Sequence, residues 1–271
     1  MVTLPTGGLA RVPHEARHLA ESFGSDPERY DRTRPSYPKA LVERIVAAMP
    51  GSRVLDVGIG SGIAAESFEA AGCAVLGVDP DEALAAYARR RGFQVEVARF
   101  EDWEPAGRTF DAVVAGQAWH WVDPVAGAAK AAEVLEEGGH LAVFWNAMQF
   151  PPEVAEAFAG AVRRAVPGVP VPSYAPGDLS GYSAFFAAAT DGMRRARAFS
   201  DPEQWQVDWE QVYSRAQWLD LMPTAGGFNR LDPSALRPIL DQVGAAIDAI
   251  GGSFTMRYAT VAVTARRTNR G

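Results

Sequence analysis

Apolar positions along the chain change period in a regular rhythm. From Ser36 to about Met49 they recur at helical spacing, with Leu41, Val42, Ile45, Val46 and Met49 on one face, Pro38 in the first turn and Pro50-Gly51 closing the segment. A short apolar run, Arg53–Val57, leads into Gly58-Ile59-Gly60-Ser61-Gly62, and the spacing predicts a helix over Ile63–Ala71. Strands over Ala74–Val78, Gln94–Ala98, Asp111–Ala115 and Leu141–Trp145 are expected, with helices over Glu82–Arg91 and Val125–Leu135 between them. Strand and helix alternating at this spacing imply a parallel sheet with helices on both faces.

The rhythm breaks after Asn146. Helices near Glu153–Val166, Leu179–Ala189 and Glu210–Leu221 flank a loop rich in proline (Pro167, Pro170, Pro172, Pro176), and strands are scarce, so residues 147–232 read as a cap over the sheet. Asp232-Pro233 starts a helix that runs to about Ile250. Phe254–Ala265 alternates as a final strand, expected to be antiparallel at the sheet edge. Residues 1–24 carry little pattern and are expected to be loosely ordered.

Composition narrows the function classes. With 271 residues and 48% hydrophobic content the chain is long enough to bury one large core with an appended cap. A net charge of −7 disfavours nucleic acid and anionic membranes as partners, since the mean field repels phosphate. The single cysteine, Cys73, excludes an internal disulfide and a cysteine zinc cluster, and its setting suggests a small buried hydrophobe; no metal site is expected. No stretch approaches the length of a membrane span and the N-terminus lacks the pattern of a secretory signal, so the default location is cytoplasmic.

Chemistry concentrates where the first strand turns into a helix. Glycines at 58, 60 and 62 let backbone pass close to a ligand, and the helix N-terminus offers free N–H groups. The spacing differs from the nicotinamide pattern G-x-G-x-x-G, because position 63 is Ile63 and the third glycine comes one residue early. Asp79, at the end of the second strand and followed by Pro80, is placed to accept the two hydroxyls of a ribose, or alternatively to cap the next helix. Loop and acidic strand end together predict a bound adenosine.

At these residues the chain resembles the class I S-adenosylmethionine-dependent methyltransferases. Asp56-x-Gly58-x-Gly60-x-Gly62 is similar to the family's first motif, Val78-Asp79 to its ribose-binding acidic motif, and Phe110-Asp111-Ala112-Val113-Val114 to its fourth strand. Tyr30-Asp31-x-x-Arg34-Pro35-x-Tyr37-Pro38 and Gln117-Ala118-Trp119-His120-Trp121 resemble the trans-aconitate methyltransferase type within it. The resemblance implies a Rossmann-like, seven-stranded, mostly parallel sheet in one domain over 1–271. Its parts are an N-terminal lid (1–50), a cofactor-binding core (51–146), a helical substrate cap (147–232) and a C-terminal helix and edge strand (233–271).

It also implies S-adenosylmethionine as cofactor and S-adenosylhomocysteine as product. Gly58, Gly60 and Gly62 with Asp56 would take the methionine part, Asp79 and Pro80 the ribose, and Phe100 and Glu101 the adenine, while Gln117 would line the site. The family's acidic adenine contact falls near Arg99, a departure that leaves backbone or Glu101 to substitute. Tyr30 and Arg34 would fold over, Arg34 pairing with the cofactor carboxylate or else standing as a solvated charge. His120, between Trp119 and Trp121 at the carboxyl end of the fourth strand, is the catalytic candidate, either as base or as a residue that orients substrate. Asn146 would hold substrate or cap a turn. Aromatic residues in the cap favour a rather apolar small-molecule acceptor. O-methylation is the expectation, with N- or C-methylation, or a non-catalytic cofactor-binding module, as alternatives.

Overall fold

The computed structural model describes residues 23–165, 175, 177–225 and 228–268. The expectations for residues 1–22 and for the prolines at 167, 170, 172 and 176 lie outside the described residues.

Two short helices, α1 (Pro27–Thr33) and α2 (Lys39–Ala48), precede five strands that alternate with helices. These are β1 (Arg53–Val57), α3 (Ile63–Ala70), β2 (Ala74–Asp79), α4 (Glu82–Arg90), β3 (Gln94–Val97), β4 (Phe110–Gly116), α5 (Pro124–Val134) and β5 (Leu135–Gln149). There follow α6 (Pro152–Ala165), α7 (Ser180–Ala196), β6 (Glu203–Ser214), α8 (Arg215–Leu221), α9 (Pro233–Ala249) and β7 (Ser253–Arg266). The strands form one seven-stranded sheet in the order β3-β2-β1-β4-β5-β7-β6, the first five mutually parallel. Chain order reverses direction between β1 and β4, and in such sheets the crevice beyond the carboxyl ends of those strands is where ligands bind.

Three expectations change. Strand β6 occupies a segment assigned in part to a helix at Glu210–Leu221; only its last seven residues, α8, are helical. In β6 the side chains alternate strictly, with Trp205 and Tyr213 buried, Val207 and Trp209 partly buried, and Gln206, Asp208, Glu210 and Val212 exposed. This is the period of a strand half-covered on one face. Second, β7 is not the edge: β6 lies outside it. Third, β5 begins at Leu135, so that Gly138-Gly139 sits inside a strand. Arg267 N–H donates to the Gly139 carbonyl and the Arg267 carbonyl accepts from Gly138 N–H. That is an antiparallel exchange in which two residues oppose one, a bulge that Gly138 enters at φ 79°.

The chain packs into two compact units. The sheet unit, Pro35–Asn146, Ala184–Val207 and Thr260–Gly271, has a core built from α2, α3, α4 and the inner strands, including Leu41, Ile45, Phe68, Val114 and Phe144. Cys73 is buried there, as its surroundings predicted. The second unit, Met1–Arg34, Ala147–Ser183 and Asp208–Ala259, has its own core of Phe150, Phe158, Trp218, Phe228, Ile239 and Phe254. Most of the aromatic residues of the cap segment are plain core, the commoner state of aromatics at such spacings. Trp218 is fully buried, Trp209 stacks on Tyr258 at 4.4 Å, and Trp205 is buried in the sheet unit under the Arg44 guanidinium at 4.0 Å.

Candidate functional site

Within the sheet unit, the loop after β1 is tied to the end of β2. Gly58 N–H donates to the Val78 carbonyl at 2.7 Å, and Gly60 N–H donates to Asp79 Oδ2 at 2.7 Å. Gly58 has φ 70°, and a Cβ there would fall 2.4 Å from Ala118 Cβ, so the same loop also lies against the end of β4. Only glycine combines that backbone conformation with that proximity. Gly62 is the residue before α3, at φ 97°, and a Cβ there would fall 2.4 Å from the Phe93 ring.

Asp79 takes two backbone N–H groups, Gly60 on Oδ2 and Asp81 on Oδ1. The cap of α4 is Asp81, whose Oδ1 accepts from Ala83 and Leu84, so the capping alternative for Asp79 is overturned. Each Asp79 oxygen retains lone-pair capacity beyond its one bond. Asp56 is buried at 1% exposure and neither carboxylate oxygen has a hydrogen-bond partner among the described residues. Burial, reinforced by the charge of Asp79, pushes the Asp56 pKa up to about 7. Burial likewise raises Asp79 to about 6, against the pull of its two backbone donors. Two under-compensated carboxylates beside a glycine loop form a place where a cation and hydroxyl donors are stabilised.

A second group gathers at the end of β4. Register pairs Gly116 with Phe144, and Gln117 N–H donates to the Phe144 carbonyl at 2.8 Å. Gln117 is left-handed at φ 56°, an uncommon state for a residue with a side chain; its Nε2 donates to the Asn146 carbonyl, and its buried Oε1 has no partner. His120 is flanked by aromatic rings: Phe185 of α7 stacks on it at 4.7 Å and Trp121 lies at 4.8 Å. Trp145 Nε1 donates to His120 Nδ1 at 3.1 Å, while His120 Nε2 is shielded from solvent and has no partner among the described residues. Burial is the main cause that lowers the His120 pKa to about 3.

Other candidates take different places. Asn146 is a buried cross-link: its Nδ2 donates to the Ser36 carbonyl and its Oδ1 accepts from Thr260 Oγ1. Trp119 is buried at 2% against Phe100. Phe100 is itself buried, Glu101 Oε1 accepts from Asp123 N–H at 2.8 Å, and Arg99 and Pro80 are exposed. Tyr30 and Arg34 belong to the second unit, where the Arg34 guanidinium lies over the Tyr30 ring at 4.7 Å and donates to the Thr224 carbonyl. Sequence reasoning missed Ser61, whose buried Oγ has no partner, and Phe185. Ser61 stood inside the glycine motif and was legible there; Phe185 reaches His120 only through the fold.

The donor set fits the cofactor implied by the motifs. S-adenosylmethionine carries an ammonium, a sulfonium and two ribose hydroxyls, and the unpartnered Asp56 oxygens and remaining Asp79 lone pairs are the complementary groups.

A family model described as a methyltransferase domain matches residues 30–250. An uncharacterized methyltransferase of Mycobacterium tuberculosis is 36% identical over 132 residues, covering 48% of this chain and 54% of that protein. A ubiquinone biosynthesis O-methyltransferase of Hahella chejuensis is 37% identical over 103 residues, 35% of this chain and 43% of that protein. The chain thus spans about half the length of the curated relatives it matches. In fold it is similar to a type II methyltransferase of Anaeromyxobacter dehalogenans, with TM-score 0.58, 22% identity, and coverage of 86% of this chain and 97% of the other.

Proposed function

Since this chain belongs to the class I S-adenosylmethionine-dependent methyltransferase family, we propose that it transfers a methyl group to a small, rather apolar acceptor, with oxygen as the methylated atom. The observation that carries the reading is the buried pair Asp56 and Asp79 beside the β1 loop, one carboxylate without a partner and the other held by Gly60 and Asp81. The likeness to an O-methyltransferase supports oxygen as the atom.

In this reading Asp56 and the Gly58–Gly62 loop hold the methionine part, Asp79 takes the ribose hydroxyls, and Phe100 and Glu101 flank the adenine. When bound, the cofactor supplies an electrophilic methyl whose displacement runs in line. The protein's task is then alignment: Gln117 and His120, at the carboxyl end of β4, orient the acceptor in an aromatic shell that excludes water. Calorimetric titration with S-adenosylhomocysteine is expected to give micromolar binding that Asp79→Ala abolishes or weakens strongly. Product analysis by mass spectrometry over an acceptor panel then distinguishes O- from N- or C-methylation. Absence of any cofactor binding by the wild-type protein would sink the proposal.

A further inference from the structure

We propose that Trp145 fixes His120 as a neutral imidazole with its proton on Nε2, so that His120 presents the acceptor with a hydrogen-bond donor, and that the acceptor is an oxygen already anionic before transfer. The second half rests on the methyl-transfer reading above; the first does not.

An indole nitrogen only donates. The imidazole nitrogen facing Trp145 Nε1 at 3.1 Å, Nδ1, therefore carries its lone pair towards the indole. A neutral imidazole has one proton, and it then sits on Nε2. A base would need that lone pair for the acceptor's proton, but it is engaged by Trp145; protonating Nδ1 would set two N–H groups against each other. The charge so created would also be buried among Trp121, Phe185 and Trp145, none of which is ionisable in this range. The low pKa of His120 agrees with this independent geometric constraint.

What remains is a buried Nε2–H with no partner among the described residues. Such a donor is satisfied by an acceptor oxygen, and most strongly by an anionic one. The chemistry balances without a base. An oxygen lone pair forms the O–CH3 bond, the C–S bond breaks with its electron pair going to sulfur, and one negative and one positive charge disappear together. No proton is released. A neutral alcohol would release one at transfer, beside an imidazole whose lone pair Trp145 already engages. Trp145 is on this account a positioning residue, acting through His120.

The test is nuclear magnetic resonance on protein with 15N-labelled imidazoles, saturated with S-adenosylhomocysteine, the saturation being checked by calorimetry. Resonances of His120 are assigned by their loss in His120→Gln. The expected result is an Nε2–H tautomer that does not titrate between about pH 5 and 8. Trp145→Phe should mix the tautomers, while burial still holds the titration of the ring below its ordinary value. Sodium benzoate, an anionic oxygen probe suited to an aromatic shell, should shift the Nε2–H resonance, and benzylamine should not. Benzoate affinity should fall roughly tenfold in His120→Ala and stay within about threefold in His120→Gln, which keeps a side-chain N–H. An Nδ1–H tautomer, a wild-type ring titrating at its ordinary value, or no response to benzoate overturns the proposal. If Trp145→Phe fails to fold, the wild-type tautomer decides alone. Failure to bind S-adenosylhomocysteine contradicts the methyl-transfer reading while leaving the tautomer measurement intact.

Discussion

The ends of β1 and β2 and the end of β4 are prepared in opposite ways. At the first, two buried carboxylates stand short of partners, Asp56 with none and Asp79 with two backbone N–H groups. At the second, a neutral imidazole is enclosed by aromatic rings and offers one donor. The difference teaches how one sheet end can accommodate a cation and an anion side by side. In the proposed reading the carboxylates stand where a sulfonium and an ammonium would be held, and away from where an electron-rich acceptor would approach. The overall charge of −7 is thus less informative about the acceptor than its local distribution.

Removing the charge on the first side is the strongest way to break this contrast. Asp79→Ala should lower affinity for S-adenosylhomocysteine by about 10–100-fold in calorimetry, since hydrogen bonds to charged groups are worth about 1.5–3 kcal/mol. An unaltered affinity would remove Asp79 from the site. On the second side, His120→Ala should leave that affinity within about twofold and lower turnover by roughly tenfold or more, as loss of an aimed donor does. Equal losses in both quantities would merge the two halves into one. A smaller effect is expected in stability against pH. Because burial raises the Asp56 and Asp79 pKa values, the free fold holds their protons more tightly than the unfolded chain does. Their contribution is fully present below about pH 4, and it is lost as pH rises through about 6 and about 7. Urea unfolding of the free protein should therefore show a decline over that window, which Asp56→Asn flattens. Least of all, Val212→Thr on the exposed side of β6 should change stability by no more than about 0.5 kcal/mol.

The two regions were also unequally legible. The glycine loop and Asp79 could be read because local sequence carries both their conformation and their chemistry: an apolar strand, glycines where φ is positive, and an acid at the next strand end. That Gly60 and Asp79 meet follows from parallel pairing of β1 with β2. His120 could be singled out by its place after β4, but its state could not. The partner that sets its tautomer comes from β5, 25 residues on, and the ring that stacks on it comes from α7. Nothing local in the small-residue segment around Phe185 points to His120. The trans-aconitate likeness rests on Tyr30–Pro38 and Gln117–Trp121 alone, and the family match is coarser than that. For β6 the signal was present in the alternation of Trp205, Val207, Trp209 and Tyr213, yet the part from Glu210 on was given to a helix.

Calorimetric titration of S-adenosylhomocysteine into the wild-type protein at a series of pH values tests the central claim most directly. With Asp56 at about 7 and Asp79 at about 6 in the free protein, affinity should be in the micromolar range above neutrality and weaken as pH falls through that window. Binding that is absent, or that is indifferent to pH across it, would contradict the account.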